Sequence, residues 1–470
     1  MVVYQKLGVI GSSLVFAALQ KFKFQIFRIF IIYDTCRSSN SCDNSTAELN
    51  STDTYFNNAV VSDFLFKCLL VNNVVAILPC IFLAAWSDKH GRKLLLLLPF
   101  VGSFIGDILM LVLLYVPIAS KNLLLLSEGI HGFCGGTVLI GLGCLCYVTD
   151  STDHRLRTWF IGLFFGLYNF LPLIEMTLQY YWTPLSMSLD FRTLILIGVS
   201  IRMILSAYFL IYINLFVAES VFVLGSYQGN PWMNLLTPIN VSDTVSCVFK
   251  RRMDNMRFFI ISLCTVFVFY NLLLHGNLTI FPQYFWNVFH WPYKDVILFA
   301  AVYAISQTLT LWICTYSALK CRILDIETGI YGTCSLAASC LALTFLRNSW
   351  IAVIAALVGV ASLLIPTSII SVLSKLIERV ETGSMYAGVG FLMLVTQLIS
   401  IPSYEALYKV CVEADIPQVV FLLSFGFAIY GLLFFIYLKK NIAPDLLGHL
   451  NASESLALIS RKGEIEQLFD

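Results

Sequence analysis

Twelve stretches of this chain run apolar for about 20 residues or more, the length a helix needs to cross the hydrocarbon core of a bilayer. They lie near 7–33, 64–86, 94–116, 122–148, 158–182 and 191–217, then near 257–282, 295–319, 328–347, 350–373, 385–407 and 416–438. Lipid offers no partner for backbone N–H and C=O groups, so segments of this length and apolarity must be helical. A polar stretch at 218–256 divides the runs six and six. Of the 470 residues, 59% are hydrophobic and 12% charged, far from the roughly half and quarter of soluble domains. The net charge of +1 gives no electrostatic basis for nucleic-acid binding.

The expected architecture is an all-α polytopic membrane protein with twelve spans. Residues 1–217 form an amino-terminal six-helix bundle whose external loop is 34–63, and 257–438 form the carboxyl-terminal bundle. Residues 218–256 read as a flexible cytosolic linker with a lipid-touching basic end, and 439–470 as a cytosolic tail. With the amino terminus inside, eighteen Lys and Arg fall in inner segments and seven in outer ones, which sets the orientation and puts both termini in the cytosol. Lys6 before Leu7–Leu19 also resembles a signal peptide, but no small-x-small cleavage site follows it, so the run is read as a span. The outer loop carries the glycosylation sequons of Asn44 and Asn50, and a third, Asn277-Leu278-Thr279, sits near the outer end of span seven. Cys36 and Cys42 share the outer loop and are candidates for a disulfide.

Charge is dense in the turn Trp86-Ser87-Asp88-Lys89-His90-Gly91-Arg92-Lys93. Gly91 permits a tight turn, and Asp88 and Arg92 are placed to bond each other and nearby helix ends. A solvated loop explains the cluster as readily. However, Asp88-Lys89-His90-Gly91-Arg92-Lys93 resembles the Asp-Arg-x-Gly-Arg-basic signature of the major facilitator superfamily, with Ala84 in place of the leading glycine. The corresponding turn of the second half, Lys320-Cys321-Arg322, is degenerate. Gly135-Gly136, Tyr147-Val148-Thr149-Asp150, Arg157-Thr158, Glu219-Ser220 and Glu381-Thr382-Gly383 follow in order, and together they resemble solute carrier family 46, which includes the proton-coupled folate transporter. The resemblance implies a major facilitator fold and secondary transport by alternating access, with Asp88, Gly91, Arg92, Asp150 and Arg157 as gating residues. Its members' cargoes include folates, cyclic dinucleotides and wall fragments. The residues tied to proton coupling in the folate carrier fall on Phe165 and Ile370, which carry no proton.

Ionisable groups inside spans are costly and line polar cavities or pair with one another. Lys21 and Arg28, seven apart in span one, share a helix face, and Arg202 lies mid-span six. With Gln307 and Gln397 they are candidate contacts for a small organic anion. Lys23 points elsewhere on span one and is expected to snorkel toward the aqueous edge. Glu128 and His131, three apart in span four, with Glu175 and Asp107, are candidates for proton exchange. Mutual neutralisation of these acids and bases is the competing reading.

The common catalytic motifs are absent, the cysteines have no metal-type spacing, and no enzyme activity, cofactor or metal is expected. The expected partners are an organic anion, protons and the bilayer, at the plasma membrane or, alternatively, an endolysosomal one. A transporter-shaped receptor that moves nothing is the alternative function.

Overall fold

The computed structural model describes residues 2–38, 51–116, 122–170, 191–216, 235, 237–252, 256–291, 293–321, 323–345, 349–378 and 381–441. Among these residues there is no strand. The helices are α1 Val2–Ser38, α2 Ser51–His90, α3 Lys93–Tyr115, α4 Asn122–Phe133, α5 Gly136–Ser151, α6 His154–Tyr168, α7 Phe191–Phe216 and α8 Pro238–Phe249. Then come α9 Met256–Phe289, α10 Tyr293–Cys321, α11 Asp325–Phe345, α12 Ser349–Val358, α13 Leu364–Leu376, α14 Thr382–Glu413 and α15 Val420–Asn441. Ten helical stretches in the described residues are long and apolar enough to cross a membrane.

Two helices outrun their apolar segments. The 40 residues of α2 span about 60 Å, twice the hydrocarbon thickness, so the polar stretch from Ser51 is helix and not loop. Helix α9 runs to Phe289, which places the Asn277 sequon within a helix, where Asn277 accepts a hydrogen bond from Ser424 at 3.0 Å.

Span four is broken. Helix α4 ends at Phe133, and α5 starts at Gly136 after Gly135 and Gly136 take φ of +90° and +54°, a region that only glycine enters without strain. A Cβ on Gly136 would also approach Asn72 Oδ1 to 3.1 Å. Span ten is broken as well, by a 3₁₀ turn at Gly359–Leu363 just before Pro366, whose ring removes a backbone donor in the first turn of α13.

The cores show how the bundles sit. One large core is common to both halves, bringing Phe16, Leu95 and Phe160 together with Phe259, Ile369 and Tyr386. At the opposite end each half keeps its own core: Ile26, Phe64, Met110 and Ile195 in the first, Ile280, Tyr284, Phe299 and Phe421 in the second. The bundles therefore merge at the end carrying Trp86–Lys93 and are packed separately at the other. Ile370 is fully buried in the common core, and Phe165 packs beside Leu311 and Trp312.

The linker differs from expectation. Residues 238–249 form a helix, started by Pro238 at a position where the missing N–H costs nothing, and α8 packs on α2, α9 and α14.

Candidate functional site

The site begins with the register of α1. Gly11, Leu14, Ala18 and Lys21 are partly exposed, while Phe16, Gln20, Lys23 and Phe27 are buried. The first set recurs at i+3, i+4 and i+3, which is one helical stripe. The Lys21 ammonium lies within electrostatic range of Tyr168 in the first bundle and of His275 in the second. That stripe therefore faces the junction between bundles. Arg28 continues the register, but its side chain lies outside the described residues, as do the side chain of Cys36 and the whole of Cys42, Asn44, Asn50 and Glu175.

The opposite stripe of α1 enters the first bundle and meets a charge network. Lys23 is 2% exposed, and its Nζ lies 2.6 Å from Glu128 Oε1. It does not snorkel: the ammonium is held over the Phe27 ring, with the carboxylate as its counter-charge. Asn72 Nδ2 donates to Glu128 Oε2 at 2.8 Å and lies 2.6 Å from His131 Nδ1. With Asn72 donating both protons, His131 is neutral and carries its proton on Nε2, an assignment made from the bonding pattern. The ring stacks on Phe16. Glu128 and His131 are thus on one face as expected, 4.0 Å apart, with Asn72 bridging them.

Arg202 is placed differently from the cavity position expected of it. It is fully buried and donates through Nε to Asp107 Oδ1 at 2.9 Å, through Nη2 to Ser103 at 3.1 Å, and to the backbone carbonyl of Leu19. Arg202 and Asp107 neutralise each other inside the first bundle, because two opposite charges bury far better as a pair than alone.

Gln307 is 7% exposed and ties the bundles together: it donates to Ser362 at 3.0 Å and accepts from Asn169 at 3.3 Å. Gln397 is partly exposed on α14.

The residues expected to gate lie together at the merged end. Gly91 turns at φ +100°, bringing Asp88 and Arg92 to 2.8 Å, and Arg92 Nε donates to Asp150 at 2.9 Å. Asp88 accepts from the backbone N–H of Gly383 at 2.7 Å and of Ser384 at 2.8 Å, and from the Ser384 hydroxyl at 2.9 Å. These are first-turn donors of α14, which have no partner within their own helix and favour an anion. Arg157, fully buried, donates to the carbonyls of Ser374 at 2.8 Å and Thr149 at 3.1 Å.

A second carboxylate also bonds across the junction, through a side-chain hydroxyl. Asp325, at the start of α11 in the second bundle, accepts from Thr158 near the start of α6 at 2.9 Å, and pairs with Lys375. Asp325 lies three residues beyond the degenerate turn Lys320–Arg322, outside the pattern that marks Asp88. Asn72 and Ser384 carry no signal in the sequence that marks them for this site, and Lys23 takes a place in the bundle where snorkelling was expected. For Lys23 a signal existed: Glu128 needs a counter-charge at its depth.

Two bundles of apolar helices, pinned at one end by Asp88, which caps α14 of the opposite half, and by Asp325, which takes the Thr158 hydroxyl across the junction, define an all-α fold of the major facilitator type. Solved structures agree on the fold. The human organic anion transporter MFSD10 aligns with a TM-score of 0.65 at 13% identity, over 92% of this chain and 98% of that one. The fucose:proton symporter of E. coli aligns at 0.64 with 12% identity, over 93% and 98%. No family model matches the chain. Among curated relatives, the chicken lysosomal proton-coupled steroid conjugate and bile acid symporter is 24% identical over 86% of each chain. Its human counterpart is 24% identical over 78% of this chain and 77% of its own. A probable peptidoglycan muropeptide transporter of Drosophila melanogaster is 22% identical over 80% and 75%. Over most of its length the chain is similar to curated members of solute carrier family 46.

Proposed function

We propose that this protein is a secondary active transporter that carries an amphipathic organic anion together with protons by alternating access. The observation that carries the reading is the position of Lys21, a cation on the partly exposed stripe of α1 at the junction of the bundles. Lys23 pairs with Glu128 and Arg202 with Asp107 inside the first bundle. An anion entering between the halves meets Lys21, with Arg28 next in register on α1, and Gln397 is a further polar group partly exposed on α14. The kind of cargo follows from the relatives: steroid conjugates, bile acids and muropeptides are what their names describe.

Protons in this reading are handled by Glu128 with His131, since Phe165 and Ile370 offer no ionisable group. Asp107, bound to Arg202, serves structure, and Glu175 remains a second proton candidate. With the merged end taken as cytosolic, the described conformation is closed to the cytosol, and residues 1–217 and 257–438 are the two bodies that rock. A lysosomal membrane, the place named for the vertebrate relatives, fits an anion symporter driven by an acidic lumen.

The test is uptake of a bile acid and a steroid sulfate into proteoliposomes by the wild type and by Lys21→Gln. The variant loses uptake of anions at unchanged protein content. Unaltered anion uptake by Lys21→Gln removes Lys21 from the site and the anion reading with it.

A further inference from the structure

Helix α8 lies across the merged end and grips both bundles. Its Asp243 pairs with Lys89 of the first bundle at 2.7 Å. Immediately after the helix, Lys250 pairs with Glu381 at 2.7 Å, and Arg252 donates to the other oxygen of Glu381 at 2.5 Å; Glu381 directly precedes α14 of the second bundle. Between these two grips the helix is seated. Asn240, Thr244 and Cys247 are buried, and a Cβ at Gly388 of α14 would sit 3.6 Å from Val248 Cγ2 and 3.9 Å from Thr244 Cγ2. The carbonyl of Cys247 accepts from Arg252 at 2.9 Å, which holds the turn that aims both cations at Glu381.

We infer that α8 is a strap whose two ionic grips, Lys89–Asp243 and Glu381–Lys250/Arg252, favour the state in which this end is closed. The inference rests on the alternating-access reading. The grips are anchored on opposite bundles, so separating the bundles at this end must break at least one of them. Lys89 adjoins Asp88, and Glu381 stands two residues before Gly383, so the strap and the Asp88 latch brace the same two segments from different sides. The Lys89–Asp243 grip is more than one-third exposed and the Glu381–Arg252 grip is not, which makes Asp243 the end that lets go first.

The experiment needs no cargo. Spin labels at exposed Arg155, by the start of α6, and exposed Lys440, at the end of α15, report the separation across this end in the full chain in lipid. In Lys89→Glu and in Asp243→Lys the long-distance population rises at least about twofold, and the Lys89→Glu/Asp243→Lys double variant returns toward the wild type. Lys250→Gln/Arg252→Gln, which frees the other end, gives the same rise and serves if a charge reversal does not fold. The inference is overturned if these variants leave the distance distribution unchanged, or if the double variant is no closer to wild type than its parents. Cargo uptake that fails in the wild type while the distances respond as stated would strike the anion reading and leave the strap standing.

Discussion

Asp88 takes two hydrogen bonds from Ser384 across the junction of the bundles, one from the backbone N–H at 2.8 Å and one from the hydroxyl at 2.9 Å. A carboxylate from one half thus caps a helix of the other. Hydrogen bonds to a charged group contribute about 1.5–3 kcal/mol each, so this contact weighs heavily in the balance between open and closed states.

Gly383 is where that contact is most easily broken. A Cβ there would stand 2.4 Å from the Ala84 carbonyl oxygen and 2.7 Å from Asp88 Oδ1, and the backbone oxygen has nowhere to go. Gly383→Ala should therefore prise the latch apart and lower the uptake rate on the order of tenfold, the effect of about 1.4 kcal/mol. Uptake per folded molecule in proteoliposomes checks it.

The Arg202–Asp107 pair should behave as structure. Removing one partner of a buried pair leaves an uncompensated charge and costs about 3–5 kcal/mol. Asp107→Leu and Arg202→Met should each lower the melting temperature in detergent. The double variant should recover most of the loss and retain anion uptake. A double variant as unstable as either single one would contradict the pairing.

Glu128 is the proton site of the account. Glu128→Gln keeps the hydrogen bond from Asn72 possible but removes the exchangeable proton. Because Lys23 loses its counter-charge, uptake is read per folded molecule, and its ratio at acidic to neutral external pH should fall to about one. An unchanged ratio would dismiss Glu128.

The strap should not be the source of any pH dependence. Burial raises the Glu381 carboxyl, but hydrogen bonds from Lys250 and Arg252 outweigh it and hold the group below its ordinary value of 4.5. A carboxyl lowered on folding adds stability that is present above its unfolded value and is lost only as pH falls through the lower folded one. From about pH 7.5 to about pH 5.5 the spin-label separation between Arg155 and Lys440 should therefore stay constant in the absence of cargo.

The spans were legible because lipid enforces helix wherever about 20 apolar residues run together. The Asp88 turn was legible because charge that close to two spans marks a bilayer edge. Mutual neutralisation was legible as the competing reading, but which cation meets which acid was not. Lys23 and Lys21 are two residues apart, so a helix sends them to opposite sides, and nothing local says which side is the interior of the bundle. Arg202 reads as a cavity cation until Asp107, far away in sequence, is seen beside it. Helix α8 was hidden in a polar stretch because its buried face is short: only Asn240, Thr244 and Cys247 are covered, and two of those are polar.

The most direct test of the account is uptake of a labelled bile acid and a labelled steroid sulfate by proteoliposomes holding this protein alone, with and without an inward proton gradient. The account predicts that at least one of them accumulates above its external level only when the gradient is present, and that Lys21→Gln abolishes this. Folded protein that accumulates neither anion under any gradient, while binding one tightly, would contradict transport and leave a receptor in transporter form.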